Sequence, residues 1–88
     1  MTPMNFQYFA WLSEDKESVE DAREIARIWT GPDGRTVQER YTAESGWIGT
    51  QLVHDVQDLR KPGWLMTISQ RDVDLFKVIL ARRRHQQA

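Results

Sequence analysis

The sequence predicts an α+β fold: a small antiparallel sheet of about three strands packed against a long C-terminal helix, with one short additional helix. Three observations carry this. The stretch Ile68 to His85, ISQRDVDLFKVILARRRH, has apolar residues at helical spacing between clear start and stop signals. Asn5 to Leu12, NFQYFAWL, has the composition and two-residue period of a strand. Gly31, Pro32, Asp33 and Gly34 are turn chemistry between two β-prone runs.

The C-terminal helix is expected from about Gln70 to Arg84. Ser69 is its N-cap and Asp72 stands three residues on, the spacing of a capping box. Ile68 and Val73 are placed to close a hydrophobic staple across that cap. Asp72 and Asp74 lie near the positive end of the helix dipole, and Arg82, Arg83 and Arg84 near its negative end. At 100° per residue, Val73, Phe76 and Leu80 form one apolar stripe and Leu75, Val78 and Ile79 a second beside it. Asp74, Lys77, Ala81 and Arg84 remain as the polar edge. A surface helix needs an apolar arc only a little wider than 100°. The second stripe therefore has two explanations: burial inside the domain, or contact with another molecule.

Taken in order, the first strand sets Phe6, Tyr8, Ala10 and Leu12 on one face and Phe9 and Trp11 on the other. A strand apolar on both faces is central in its sheet, or opens one face to a partner. Ser13 to Glu24 is strongly acidic and reads as a solvated loop. Residues 18–30 admit two readings, a helix capped by Ser18 or the first arm of a hairpin. The hairpin is favoured, because Thr36, Val37 and Tyr41 after the turn prefer a strand and so short a loop pairs it with the residues before. Glu44, Ser45 and Gly46 mark a second turn. Thr50 caps a short helix through about Asp58, with Leu52, Val53, Val56 and Leu59 on one edge. Pro62 and Gly63 end it. Trp64 to Ile68 is an apolar lead into the long helix, either a short strand or an extended segment. The core candidates are Phe6, Tyr8, Trp29, Val37, Tyr41, Trp47, Leu52, Val56, Trp64, Ile68, Val73, Phe76, Ile79 and Leu80.

Eighty-eight residues make one domain, 1–88, with the basic tail from about 82 to 88 open to fraying. A chain of this size buries only about 60–65% of its unfolded surface. Four tryptophans supply much of that area. With no cysteine there is no disulfide framework, no thiolate metal site and no cysteine nucleophile. Twelve basic residues against thirteen acidic leave no whole-molecule field for a polyanion. No apolar run approaches a membrane span and no signal peptide precedes the first strand, so a soluble, cytoplasmic protein is expected.

Catalytic chemistry has little to stand on. His54 pairs best with Asp58 at i+4, yet no nucleophile with a distinctive context accompanies them. The acidic residues lack calcium-loop spacing, two histidines do not define a zinc site, and the glycines form no phosphate cradle. No catalytic residue, metal or cofactor is expected. The leading expectation is a small non-catalytic protein-interaction module that self-associates as a homodimer, through Phe9, Trp11, Leu75 and Val78. The alternative is a small nucleic-acid-binding or regulatory protein using Arg60, Lys61, Lys77, Arg82, Arg83 and Arg84. Three consecutive helical arginines fan out over about 200° and do not face one phosphate backbone together. A helix-turn-helix also fails on its connection, which is too long between the two helices.

Overall fold

Residues 5–87 are described by the computed structural model, with side chains through Arg84. Among them five strands form one sheet: β1 (Gln7–Leu12), β2 (Glu24–Thr30), β3 (Thr36–Thr42), β4 (Gly46–Gly49) and β5 (Trp64–Ile68). Their spatial order is β4-β3-β2-β1-β5, and each neighbouring pair is antiparallel. Helix α1 (Leu52–Gln57) carries the chain from one edge of the sheet to the other, and α2 (Gln70–Gln87) closes the fold. One 3-10 turn, Val19–Asp21, joins β1 to β2.

The sheet has five strands where about three were expected. The two additions, β4 and β5, are the short edge strands of four and five residues. Strands this short show little period of their own and owe their form to pairing with β3 and β1. The ambiguous segment resolves into both of its ingredients. Ser18 caps only the single 3-10 turn, accepting a hydrogen bond from the Glu20 N–H at 3.2 Å. The residues from Glu24 onward enter the hairpin. Its loop closes through Gly34 N–H to the Gly31 carbonyl at 3.0 Å and Gly31 N–H to the Arg35 carbonyl at 2.8 Å, with Gly34 at φ 82°. Only glycine takes that φ at no steric cost.

The apolar character of β1 on both faces follows from its position between β2 and β5. Tyr8, Ala10 and Leu12 face α2 and the 3-10 turn, in a core with Ile25, Ile68, Val73 and Phe76. Phe9 and Trp11 lie on the opposite face, against Ala26 and the buried side of α1, Leu52, Val53 and Val56. Both faces of this central strand are thus covered within the chain.

At the start of α2 the capping box forms in both directions. Asp72 N–H donates to Ser69 Oγ, and Ser69 N–H donates to an Asp72 carboxylate oxygen, each at 3.2 Å. The staple residues Ile68 and Val73 are both buried in the same cluster. The helix continues through Gln87; residue 88 lies outside the described residues.

Two expectations need correction. Leu59 does not extend the apolar edge of α1: it is 88% exposed. It sits where the helix ends, with φ 61°, while Arg60 N–H reaches the Asp55 carbonyl and Leu59 N–H the Val56 carbonyl. Those two bonds make a Schellman C-cap, and its left-handed residue points away from the helix face. Trp64, named as core, is 37% exposed; its indole N–H donates to the Lys16 carbonyl at 3.1 Å at the end of the edge strand. In exchange, small residues fill the centre: Ala10, Ala22 and Ala26 are fully buried, where strand, turn and helix approach closely.

Candidate functional site

The orientation of α2 on the sheet decides which surface remains available. Val73 and Phe76 are buried against β1, β2 and β5. Lys77 and Arg84 lie to one side of that line. The Lys77 ammonium sits 5.1 Å from the Tyr41 ring centre and 5.9 Å from that of Trp47, and Arg84 reaches Glu44 at 3.6 Å. That flank therefore leans over β3 and β4. Of the polar edge that the periodicity assigned, Lys77 is half-buried over those rings, while Asp74, Ala81 and Arg84 are exposed. At 100° per residue, Leu75 and Ile79 fall on the other flank, away from β3 and β4. Val78 follows Leu75 by three residues, further out toward solvent.

Leu75 is 41% and Val78 50% exposed. With Leu59 and Trp64 they make up the exposed large apolar side chains of the described residues, and all four fall between residues 59 and 78. The first three strands and their loops contribute none. Of the four residues expected at an interface, Leu75 and Val78 thus share one side of α2. Phe9 and Trp11 are on the far face of the sheet, beneath α1. Trp11 is further held by its indole N–H, which donates to the Pro62 carbonyl at 2.8 Å, and by Lys61 and Arg23 at 5.4 and 5.3 Å from its ring. The four do not form one patch.

Nor do the basic residues gather. Arg83 donates to the Glu20 carbonyl at 2.6 Å and the Ala22 carbonyl at 3.3 Å, which ties α2 to the 3-10 turn. Arg84 is paired with Glu44, Lys77 stacks over aromatic rings, and Lys61 lies across the sheet beside Trp11. Arg60 and Arg82 are exposed, one in the loop after α1 and one on α2. A phosphate backbone needs cations on a common face.

Polar networks elsewhere are internally matched. The Arg27 guanidinium lies between the rings of Phe6 and Trp47, 4.3 and 4.4 Å from their centres. Glu39 accepts from Arg27 Nε at 2.9 Å and from the Trp29 indole at 3.1 Å. A cleft of about 380 Å³ between α2 and the β3–β4 turn holds Arg23, Arg40 and Arg84, but Glu24 and Glu44 pair two of the three. His54 meets Asp58 at 2.9 Å on an exposed turn of α1, and the His54 backbone N–H donates to Gln38. Among the described residues no three His, Asp or Glu side chains gather in metal-binding geometry, and no helix is long and apolar enough to cross a membrane.

Of the two readings of Trp64–Ile68, a short strand or an extended segment, the chain takes the strand. A signal was there: WLMTI is five residues without a charge, proline or glycine. No family model matches the chain, no curated protein matches it, and no solved structure matches it.

Proposed function

We propose that this chain is a non-catalytic protein-interaction module whose partner is a second copy of itself, docked along β5 and the outer flank of α2. The observation that carries this reading is the confinement of the exposed large apolar side chains to residues 59–78, with Leu75 and Val78 together on α2. A closed twofold contact presents the same patch from both copies, so each exposed side chain counts twice.

The magnitudes define how large that contact must be. Full burial of a leucine or valine side chain is worth about 1.5–3 kcal/mol, and these two are roughly half exposed, so four of them across a twofold yield about 3–6 kcal/mol. Association costs at least about 4 kcal/mol in lost rigid-body freedom. The helix flank alone only balances that cost, and a stable pair draws on β5 beside it. Replacing Leu75 and Val78 together by glutamate tests the reading. Both side chains reach solvent, so the circular dichroism spectrum stays that of the native fold while the sedimenting mass falls to that of one chain. An unchanged mass would remove α2 from the contact.

A further inference from the structure

Resting on that self-association, we infer that the second copy adds to the free edge of β5: the two β5 strands run antiparallel about a twofold axis at Met66 and join two sheets into one. An edge strand offers a row of unpaired backbone N–H and C=O groups, and proteins that stay single guard such edges with lysine, proline, bulges or very short strands. The edge at β4 is guarded in that way, since it is four residues long with glycine at each end. The edge at β5 has no such device. Its five residues carry no charge, no proline and no glycine, and its register with β1 runs without a bulge.

The strand also fits itself. With the axis at Met66, Trp64 of one copy stands opposite Ile68 of the other, Leu65 opposite Thr67, and Met66 opposite Met66. No pair brings like charges together, and each direct pair gains cross-strand contact. On the face beneath α2, Trp64 gains an apolar neighbour over the area it now exposes. A twofold normal to the sheet keeps both α2 helices on one face, antiparallel, with the Leu75 flanks turned toward each other. The strand edge and the helix flank then form one continuous contact, about 17 Å of strand and about 27 Å of helix in each copy.

The chain has no cysteine, so a single introduced thiol can only pair between copies. Opposed residues of an antiparallel pair have Cα atoms about 4.5–5.5 Å apart, inside the range a disulfide spans. Met66→Cys is therefore expected to convert almost wholly to a covalent dimer under mild oxidation, well ahead of Val78→Cys. Thr67→Lys, at an exposed position of the strand, is expected to weaken association at least tenfold with an unchanged melting temperature, and it carries the test should Met66→Cys not fold. A wild-type dimer in which Val78→Cys cross-links, Met66→Cys does not, and Thr67→Lys associates normally would overturn the edge pairing while leaving self-association in place. A wild-type protein that stays a single chain would overturn both.

Discussion

Leu59 and Gly63 are four residues apart and both take positive φ, yet they stand in opposite relation to it. Gly63, at φ 97°, passes so close to β1 that a Cβ would collide with the Leu12 carbonyl oxygen and crowd the Trp11 indole. Gly63→Ala is expected to cost several kcal/mol by strain and by displacing β1 from β5, measurable as an earlier denaturant midpoint. Leu59 occupies a C-cap position that glycine fills without strain, and its side chain meets solvent. Leu59→Gly is therefore expected to raise stability by about 0.5–1 kcal/mol, the left-handed penalty of a leucine less the chain entropy of glycine. Pro62 and Gly63 were legible as a break in the chain. That Gly63 is needed for close approach to β1 was not, because the approach joins residues about fifty positions apart. Leu59 extended a periodic apolar edge on paper, and only the C-cap bonds take it out of that register.

At the level of elements, α2 was the most legible, and for a local reason: its cap, staple and periodicity all lie within a few residues of one another. Ser69→Ala should remove the hydroxyl half of the capping box and cost about 1 kcal/mol, read by chemical denaturation, with Asp72 still in place. The hairpin of β2 and β3 was legible in the same way, through Pro32, Asp33 and Gly34. Strand β4 was not, and β5 was only one of two readings, since four or five residues do not establish a period and β5 depends on a partner distant in sequence. The polar edge assigned to α2 is exposed except at Lys77, for a related reason. Lys77 looks solvated on a helical wheel, but Tyr41 and Trp47 on β3 and β4 draw it inward, while Arg84 stays exposed beside Glu44. Turning that flank inward leaves Leu75 and Val78 on the outside.

For the molecule as a whole, twelve basic and thirteen acidic side chains leave a net charge of −1, so long-range repulsion sets little barrier between two copies. Among the described residues the sheet ends at β4 on one side and β5 on the other, and the exposed apolar side chains of α2 lie away from the flank over β3 and β4. The width of the apolar arc made legible that Leu75 and Val78 are apolar residues left exposed on α2. For β1, of its two readings the interior position holds, and Phe9 and Trp11 pack beneath α1, a segment about forty residues later. The most direct measurement is the solution mass of the unmodified protein by light scattering, from low micromolar to near-millimolar concentration and at low and high salt. An apolar twofold contact predicts a mass that rises toward twice that of the chain with concentration and holds in high salt. A mass that stays at one chain across the whole range would contradict the account.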